Sequence, residues 1–590
     1  MGLKLLSVNT EDVHAKVLAA KSVDQEQRGI ELASIPDGLM PEDDREKCFY
    51  RHRKSSAGMA LIVHIPKLIE AGNLDINGTM MQSELINLID EIPPWKRNEL
   101  SWSFSSDLKT QKIFFECCPT AEQTAHHEQE LMGVKGRRPH ILAVPFPVQG
   151  HVRPLMKFSQ QIANHGIKVT FVNTEYIHAK VVAAMSEEDK EQRSIELTSI
   201  PDGLTPDDDR NNGFIINKSL RRTLLRNLTN LMEKISCDEK ISCVIADITI
   251  GWILDDIQKM GAEPVAFLPG AAAEMALTLH IPKLIEAGNL DMNGTMVQNE
   301  LILSDEIPSW RKNELIWSVS GDLNTQKLFF EFFRTAELSA QHAKWLLCNT
   351  FHEIESSACK LIPKICPVGP LLSSNNSKSS ASGGSFWVED TTCLNWLDNQ
   401  PDGSVIYVSF GSVAAFSQDQ INELALGLEL SSRPFLWVVR SNLANGLHAE
   451  YPNGFLERVA ERAKIVEWTP QEQVLAHSSV GCFLSHCGWN STVEGLSMGI
   501  PFLCWPYFAD QFHNQNYICA MWKIGLSLNP NESGLRSRNE IKTKIEMLFA
   551  DYGIKTNALK LKDLALKSVS EWGSSFRNFE TFVDHLKKRR

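Results

Sequence analysis

Residues 468–511 concentrate groups that can bind a phosphorylated, hydroxyl-rich ligand. A strand-like run, Val480 to Ser485, leads into His486 and Gly488, where a helix is predicted to begin. The first N–H groups of a helix have no partner inside the helix, and the helix dipole favours an anion at that end. This pattern predicts a binding site for an anion such as a diphosphate.

Side chains beside the predicted helix start can complete such a site. His486, Asn490 and Ser491 supply donors for phosphate oxygens. Asn490 and Glu494 are four residues apart and therefore share one face of the helix. A carboxylate just beyond the phosphates is well placed to accept both hydroxyls of a ribose. The spacing thus predicts that Glu494 binds the ribose of a nucleotide.

An aromatic residue and two polar residues frame this segment. Trp468 opens it, and Asp510 and Gln511 close it after the apolar run PFLCW. Any one of these residues alone is most simply read as an ordinary part of a folded core. The complete ordered string is instead typical of a nucleotide-sugar site, because each part of that ligand meets a group suited to it.

The string from Trp468 to Gln511 resembles the signature box of the plant UDP-sugar-dependent glycosyltransferases of small molecules, glycosyltransferase family 1. The resemblance implies partners for each part of the donor: Trp468 for uracil, Gln471 and Glu494 for ribose, His486, Asn490 and Ser491 for the diphosphate, and Trp489, Asp510 and Gln511 for the sugar. Thr469 and Gly488 lie in the same string and are included among the predicted donor contacts. Gln511 resembles the last residue of the box in glucose-using members, so glucose is the expected sugar.

A candidate general base lies in the segment PVQGHVRP. His151 follows a predicted strand and Gly150, at the carboxyl end of a sheet, where doubly wound folds bind ligands. Histidine suits proton abstraction because its ordinary pKa lies near neutrality. Asp247 closes the predicted strand CVIAD, and a carboxylate behind the ring would fix its tautomer. An isolated histidine after a strand is more often structural, but the resemblance implies that His151 is the catalytic base and Asp247 its partner. Gly150 is included among the donor contacts.

Two further loops bear on how the diphosphate is held. Ser412 in SFGS resembles a diphosphate contact of the family, and Gly411 gives that loop the freedom to approach a phosphate. Asp207, Asp208 and Asp209 resemble the manganese motif of another glycosyltransferase fold, but acidic runs in turns are usually solvated. We therefore expect that the protein uses no metal and no cofactor. The expected co-substrate is a UDP-sugar, namely UDP-glucose.

One segment of the chain occurs twice. SVNTEDVHAKVLAA from Ser7 matches FVNTEYIHAKVVAA from Phe171, and HIPKLIEAGNLD occurs in both copies. The first copy has no counterpart of residues 139–167 or of two later core strands, so it cannot close a parallel sheet. Two intact repeats forming a solenoid are disfavoured, because such arrays use short units, usually three or more. We predict that residues 1–135 are a truncated duplicate of the acceptor domain without chemistry of its own.

The complete unit alternates predicted strands and helices, which indicates an α/β doubly wound fold. A polar Gly/Ser-rich segment interrupts the alternation, which then restarts with SVIYVSFGS. We predict an acceptor-binding Rossmann-like domain at 136–372, a linker at 373–386 and a UDP-sugar-binding Rossmann-like domain at 387–590. Two such domains facing each other resemble the GT-B fold of the family, in which a C-terminal helix, here about Ser574 to Lys588, crosses back to the first domain.

Composition excludes several classes of function. The 590 residues carry a formal net charge of −13, which argues against nucleic acid or an anionic membrane as the main partner. The sequence starts without the apolar core of a signal peptide and has no run of ~20 apolar residues, so a cytoplasmic protein without a transmembrane segment is expected. The 13 cysteines form no CxxC pair and suggest reduced thiols. The expected partners are UDP-glucose and a small apolar acceptor, and the expected state is a monomer.

Two hypotheses of different classes stay open at the level of sequence. The first is an inverting UDP-glycosyltransferase, a hexosyltransferase of secondary metabolism that glucosylates a hydroxyl or carboxyl of an apolar plant metabolite. The second is a UDP-sugar-binding pseudoenzyme or a non-functional tandem-fusion product, in which the extra segment blocks the cleft or prevents folding. His151 and Asp247 favour the first hypothesis, and the incomplete duplicate favours the second.

Overall fold

The computed structural model describes residues 138–589 other than 193, 211, 238, 320–321, 373–382, 442 and 445–448, together with four short strands nearer the N-terminus. The chain divides into two compact units, residues 1–135 and residues 136–590. The boundary between these units coincides with the end of the predicted duplicate segment.

The described strands of the first unit are β1 (Ser7–Thr10), β2 (Leu32–Ile35), β3 (Ser101–Ser103) and β4 (Phe114–Glu116). β1 and β2 pair in parallel with Ser7 opposite Leu32, whereas β3 and β4 pair antiparallel. In the second copy, the matching residues Phe171 and Leu197 also lie opposite each other in a parallel pair. The two copies therefore share one strand register. The rest of the predicted truncated duplicate lies outside the described residues.

The larger unit begins with alternating strands and helices. The strands up to Pro367 are β5 (His140–Val144), β6 (Lys168–Thr174), β7 (Glu196–Ile200), β8 (Ile241–Asp247), β9 (Glu263–Leu268), β10 (Glu300–Leu301), β11 (Trp310–Arg311), β12 (Trp345–Cys348) and β13 (Ile365–Pro367). The helices are α1 (Gln149–Ala163), α2 (Glu175–Ala184), α3 (Glu187–Gln192), α4 (Gly213–Ser236), α5 (Leu254–Lys259), α6 (Ala272–Glu286), α7 (Leu323–His342) and α8 (Ser356–Leu361), with a 3₁₀ helix at Ile248–Ile253. β5, β8 and β9 are buried at every position, as parallel strands covered by helices on both faces require.

Within the described residues, seven of these strands form one parallel sheet in the order β13-β12-β9-β8-β5-β6-β7. β5 lies inside the sheet, β6 and β7 extend it in one direction, and β8, β9, β12 and β13 extend it in the other. The strand order therefore reverses between β5 and β8. Ligands bind doubly wound sheets at the carboxyl ends of the strands beside such a reversal. The predicted α/β fold is confirmed for this part of the chain.

The second half of the larger unit repeats the same plan. Its strands are β14 (Val405–Ser409), β15 (Phe435–Val438), β16 (Ala463–Val466), β17 (Val480–Ser485), β18 (Phe502–Cys504) and β19 (Gly525–Ser527). Its helices are α9 (Thr392–Asp398), α10 (Gln418–Leu430), α11 (Phe455–Val459), α12 (Gln471–Ala476), α13 (Trp489–Met498), α14 (Gln511–Asn516), α15 (Arg538–Ala550), α16 (Tyr552–Val569) and α17 (Ser574–Lys587), with a π-helical turn at Tyr517–Met521. The described strands form a parallel sheet in the order β16-β15-β14-β17-β18-β19, which reverses between β14 and β17.

The last helix, α17, packs on the first sheet rather than on the second. Its buried apolar side chains share one core with α1 and with strands β5 and β9; they are Phe579, Phe582, Val583 and Leu586. The Phe582 ring lies 6.1 Å from the ring of Phe158 on α1. Beyond this apolar contact, His585 Nε2 and Arg589 Nε lie 2.6 and 2.7 Å from the buried carboxylate of Glu263. The helix therefore joins the two halves of the larger unit.

The predicted linker, residues 373–386, ends against α1. Its first ten residues lie outside the described part of the chain. At its end, the backbone N–H of Phe386 donates to Oε1 of Gln149 at 2.9 Å. The segment that leads into the second sheet is therefore anchored at the start of α1.

Two general properties follow from the described residues. No helix among them combines the length and the apolar character that crossing a lipid bilayer requires. The described cysteines are free thiols, and most are buried. Burial raises the pKa of the Cys366 thiol to about 12, so this side chain stays protonated at neutral pH.

Candidate functional site

His151 and Asp247 meet at the point where the order of the first sheet reverses. His151 lies in the first turn of α1, directly after β5, and Asp247 is the last residue of the neighbouring β8. His151 Nδ1 lies 2.7 Å from Asp247 Oδ2. The two residues are 96 positions apart in the chain, and adjacent parallel strands bring them together. The predicted pair therefore exists as a hydrogen-bonded unit.

The carboxylate of Asp247 is held from both sides and is fully buried. Its Oδ1 accepts a 2.9 Å hydrogen bond from the backbone N–H of Thr249, at the start of the 3₁₀ helix. Because a carboxylate accepts hydrogen bonds, the neutral ring of His151 carries its proton on Nδ1. Nε2 is then the basic nitrogen. The His151 side chain is 29% exposed, which gives a substrate access to it.

Two opposing effects set the pKa of His151. Burial acts to lower it, because the charged imidazolium is poorly solvated. The negative charge of Asp247 and its hydrogen bond, with a smaller contribution from Asp510, act in the opposite direction and outweigh burial. The pKa of His151 therefore lies above its ordinary value of 6.5.

Gly150 links the base to the second half of the unit. Its carbonyl accepts a 2.7 Å hydrogen bond from Nδ2 of Asn490, in the first turn of α13. In a regular helix this carbonyl would accept from the backbone N–H of residue 154, but Pro154 has no N–H. The proline thus leaves a carbonyl available at the cleft. Asn349 Nδ2 donates to Oδ1 of Asn490 at 3.2 Å, which fixes the orientation of the amide.

The second sheet presents the predicted diphosphate site at its own reversal. β14 leads to Gly411 and Ser412, and the neighbouring β17 leads to His486 and the start of α13. A Cβ atom at Gly411 would lie 2.6 Å from Nε2 of His486, and one at Gly488 would lie 2.5 Å from the same atom. Gly411 also has a positive φ of 67°. Both glycines therefore leave room for the imidazole beside the helix start, and Ser412 lies half-buried in the same turn.

His486 is neutral in this setting. Burial lowers its pKa to about 4, and the cationic Arg440 acts in the same direction, while a hydrogen bond with the backbone of Ser409 opposes them. A neutral imidazole can donate a hydrogen bond to a phosphate oxygen without bringing a charge. The positive end of α13 and its free N–H groups would then supply most of the attraction for an anion.

A hydrogen-bonded chain positions the predicted ribose ligands. Gln471 Nε2 donates to Glu494 Oε2 at 2.7 Å and to Ser491 Oγ at 2.9 Å. Gln471 Oε1 accepts from the hydroxyl of Tyr407 at 3.1 Å, and that hydroxyl also lies 2.8 Å from Thr469 Oγ1. Gln471, Ser491, Glu494 and Thr469 are therefore gathered as predicted. Tyr407 was not predicted, because it lies inside an apolar strand.

The two tryptophans of the predicted site have protein partners. Trp468 stacks on Trp387, with ring centroids 4.5 Å apart, so one of its faces is covered by protein. A uracil base would have to use the other face. Trp489 is buried, and its Nε1 donates to the carbonyl of Asn349 at 2.8 Å. Trp489 therefore ties α13 to the first half of the unit.

Asp510 and Gln511 stand at the start of α14, on the cleft side. Gln511 Oε1 accepts from the backbone N–H groups of Tyr507 and Phe508, at 2.8 and 3.1 Å. Asp510 Oδ2 accepts from Nδ2 of Asn514 at 2.8 Å. Burial, followed by the charge of Glu274, raises the pKa of Asp510 to about 6.

Glu274 belongs to a cluster that sequence reasoning missed. Trp310 Nε1 donates to Glu274 Oε1 at 3.2 Å, and His513 Nδ1 lies 3.1 Å from the same oxygen. The rings of Trp310 and His513 stack with centroids 4.0 Å apart, and His513 Nε2 donates to the carbonyl of Pro308. The cluster joins α6 and the β10–β11 loop to α14. The available signal was a charged residue inside the otherwise apolar run FLPGAAAEMAL.

The acidic run at 207–209 is part of a turn. Oδ2 of Asp208 accepts from the backbone N–H and the hydroxyl of Thr205, at 2.7 and 2.8 Å. Among the described residues, no group of three or more histidine, cysteine, aspartate or glutamate side chains is arranged to hold a metal ion. Metal independence stays a prediction.

Comparison with known proteins gives the same two-part division. A family model described as UDP-glucoronosyl and UDP-glucosyl transferase matches residues 355–567. A second model, described as Glycosyltransferase, N-terminal domain, matches residues 139–331. The two models together cover both halves of the larger unit.

Curated plant proteins match over the same region. UDP-glycosyltransferase 83A1 of Arabidopsis thaliana is 41% identical over 463 residues, which cover 77% of this chain and 97% of that protein. (R)-mandelonitrile beta-glucosyltransferase of Prunus dulcis is 32% identical over 476 residues, which cover 76% of this chain and 97% of that protein.

Solved structures match as well. Os79 from O. sativa in complex with UDP superposes with a TM-score of 0.64 at 26% identity, over 76% of this chain and 100% of that chain. UGT2 of Phytolacca americana, complexed with UDP-2fluoro-glucose and pterostilbene, gives a TM-score of 0.63 at 27% identity. The match covers 76% of this chain and 99% of that chain. This chain is therefore a transferase of the UDP-glycosyltransferase family, glycosyltransferase family 1, with the GT-B fold.

Proposed function

We propose that the protein transfers a hexose, glucose, from a UDP-sugar to a hydroxyl or carboxyl of a small apolar metabolite, with inversion at the anomeric carbon. The observation that carries this proposal is the His151–Asp247 pair, 2.7 Å apart. Its neighbour Gly150 accepts a hydrogen bond from Asn490 at the start of α13. The backbone beside the proposed base therefore contacts the start of the helix that is proposed to bind the diphosphate.

His151 Nε2 takes the proton of the acceptor hydroxyl while the acceptor oxygen attacks the anomeric carbon. The new carbon–oxygen bond forms as the bond from that carbon to the diphosphate breaks, and its electron pair leaves with UDP. Asp247 stabilises the imidazolium that results. Attack on the face opposite the leaving group inverts the configuration. The glucoside is then β-linked, because the sugar of UDP-glucose is α-linked.

The departing diphosphate is stabilised by the protein alone in this proposal. The N-terminus of α13 offers backbone donors and the positive end of the helix dipole, and His486 and Ser491 add side-chain donors. Trp468 stacks on uracil through the face opposite Trp387, Gln471 and Glu494 bind the ribose, and Asp510, Gln511 and Trp489 bind the hexose. No step requires a metal ion.

An apolar acceptor is proposed from the walls beside the base. The ring of Phe146 lies edge-on to that of His151, with centroids 5.6 Å apart, and Phe332 lies 6.2 Å from Phe146. An aromatic surface next to the basic nitrogen favours flat or hydrocarbon-rich acceptors. Relatives named for glucosyl transfer to mandelonitrile and to 7-deoxyloganetin support a small-metabolite acceptor.

The test is UDP release, with mass detection of products, across a panel of phenols, alcohols and carboxylic acids. His151→Ala should lower turnover of hydroxyl acceptors about 10²- to 10⁴-fold while UDP affinity is retained. His165→Ala, a half-buried histidine just beyond the other end of α1, is the matched control and should leave turnover unchanged. Equal turnover in the His151 variant would remove this residue from the role of base, and an α-linked product would exclude inversion.

The incomplete first copy motivates the alternative of a binding protein without turnover. The full chain and a shortened chain that begins at Gly136, the start of the second compact unit, should be compared for UDP binding and UDP release. Activity in both proteins supports an enzyme in which the first unit is neutral. Activity only in the shortened chain would show that residues 1–135 block the site or prevent folding, and binding without release in both would favour the pseudoenzyme.

A further inference from the structure

A buried lysine of the first half contacts two carboxylates of the second half. Lys157 Nζ lies within hydrogen-bonding distance of Glu472 Oε1 and 3.3 Å from Glu494 Oε1. All three side chains are less than 10% exposed. One turn earlier on α1, Arg153 Nη2 donates to the same oxygen of Glu472 at 3.3 Å. Two cations of α1 therefore lie against carboxylates of α12 and α13.

The charges of this cluster depend on one another. Burial by itself would lower the pKa of Arg153, but Glu494, Glu472 and Glu389 outweigh burial and raise it above its ordinary value. The ionisable groups that face the cluster from all packed elements are Arg153 and Lys157 of α1, Glu472 of α12, Glu494 of α13, Glu389 before α9 and Tyr407 of β14. Glu472 and Glu494 both approach one ammonium, so they lie close to each other. Buried carboxylates this close resist simultaneous ionisation without a cation between them.

Glu494 is oriented from two sides. Lys157 approaches its Oε1, and Gln471 Nε2 donates to its Oε2 at 2.7 Å. Lys157 and Glu494 also line the same small cleft, together with Asn490 and Arg153. The lysine therefore borders the space in which the ribose and the diphosphate are proposed to lie.

We propose that Lys157 is a positioning residue of the donor site, which offsets the repulsion between Glu472 and Glu494, holds Glu494 aimed at the ribose and couples the donor site to α1. The helix carries His151 in its first turn, so the same contact fixes the base relative to the donor. This inference rests on the proposed function, since it requires that Glu494 accepts hydrogen bonds from a nucleotide ribose.

Lys157→Met keeps the length of the side chain and removes the charge. Arg153 remains beside the two carboxylates but no longer shares them with an ammonium, so Glu472 and Glu494 repel each other more strongly and the pair binds a proton more readily. A protonated Glu494 accepts ribose hydroxyls poorly. We expect UDP affinity, measured by calorimetry on the full chain between pH 5.5 and 8.5, to fall by up to about tenfold for each unit by which the pH is lowered, over part of this range. The wild-type protein should show a flatter dependence.

The double variant Lys157→Met, Glu472→Gln removes the repulsion as well as the cation. UDP affinity should recover most of its loss and return to a flat pH dependence, which a lysine that only stabilised the fold would not show. Lys168→Met breaks a surface contact with Glu239 and is the control for loss of a lysine–carboxylate pair. UDP affinity in Lys157→Met that is low at every pH, or not rescued by the second change, would overturn the inference. A wild-type protein that binds no UDP would instead contradict the proposed function.

Discussion

Asn490 donates a hydrogen bond to the backbone carbonyl of Gly150, 340 positions earlier in the chain, at 2.7 Å. The carbonyl belongs to the first turn of the helix that carries His151, and the amide belongs to the first turn of the helix proposed to bind the diphosphate. Pro154 leaves this carbonyl without its usual helical partner. One missing N–H thus allows a direct contact between the helix that carries the base and the donor site.

Replacing Pro154 by alanine tests this contact. The new N–H can bond the carbonyl of Gly150 within α1 and draws it away from Asn490. We expect kcat/KM to fall about five- to tenfold, which corresponds to one hydrogen bond. The helix itself should become more stable, because proline is unfavourable inside helices. Lower activity in a protein with a higher Tm would therefore support the contact, and unchanged kcat/KM would contradict it.

The pH dependence of kcat/KM should report His151. Only the neutral ring is a base, so activity rises as pH passes through its pKa, which Asp247 holds above 6.5 against the effect of burial. In Asp247→Asn the charge is lost, burial dominates, and the rising limb should move to lower pH. The plateau should fall by about 10²- to 10⁴-fold, because the imidazolium loses its partner. A pH–rate profile measures both effects. If the rising limb did not move in Asp247→Asn, the limb would belong to a group other than His151.

Donor affinity should depend on Asp510. This carboxyl, with a pKa of about 6, must be ionised to accept two sugar hydroxyls, so affinity for UDP-glucose should weaken as pH falls through that value. Affinity for UDP should not weaken through this group, since UDP lacks the sugar. Glu274→Gln removes the neighbouring charge that raises the pKa, so the transition should move to lower pH. Calorimetry without acceptor measures the affinities for UDP-glucose and for UDP at each pH. An identical pH dependence of the two affinities would exclude Asp510 as the group responsible.

Gly411→Ala should weaken UDP binding by about tenfold, since its Cβ would displace the ring of His486. Gly403→Ala is a matched control. Gly403 has a similar φ of 62°, but a Cβ there meets no atom within 4 Å. Both variants should lose about 1–2 kcal/mol of stability from the positive φ. UDP affinity should fall only in Gly411→Ala, and an equal loss in both would point to backbone strain alone.

The stability of the first sheet should depend on α17. Phe582 is fully buried and contacts Trp345 and Phe158, so Phe582→Ala should reduce the free energy of unfolding by about 3–5 kcal/mol. Leu566→Ala, at a half-exposed position on α16, should cost less than about 0.5–1 kcal/mol. Denaturant unfolding, monitored by tryptophan fluorescence, measures the free energy of unfolding of both variants. Equal midpoints would show that α17 is not part of the first core.

Residues that end strands could be predicted from the sequence. His151, Asp247 and His486 each follow a recognisable apolar run, and parallel sheets bring the ends of neighbouring runs to one edge. The spacing along one segment predicted the shared helix face of Asn490 and Glu494, whereas Gln471 was predicted only from the resemblance to the family. Local pattern therefore sufficed for strand ends and for residues on one face of a single helix.

Residues buried by contact between the two halves could not be predicted in this way. A lysine at position 157 of an amphipathic helix is normally solvated, and its partner Glu472 lies 315 positions away. Trp387 covers one face of Trp468 from a segment next to the polar linker, where no periodic pattern exists. Glu274 meets His513 only because α6 and α14 pack together. Such contacts depend on how two domains dock.

The position of α17 has a consequence for how the protein is made. The helix that completes the first core is translated more than 200 residues after the last strand of that core, Ile365–Pro367. While the ribosome is still synthesising the second sheet, the surface that will receive Phe582 and Leu586 is uncovered. The nascent chain therefore carries an exposed apolar groove until Lys587 has left the exit tunnel. At this stage of synthesis the groove is the surface that a chaperone would bind.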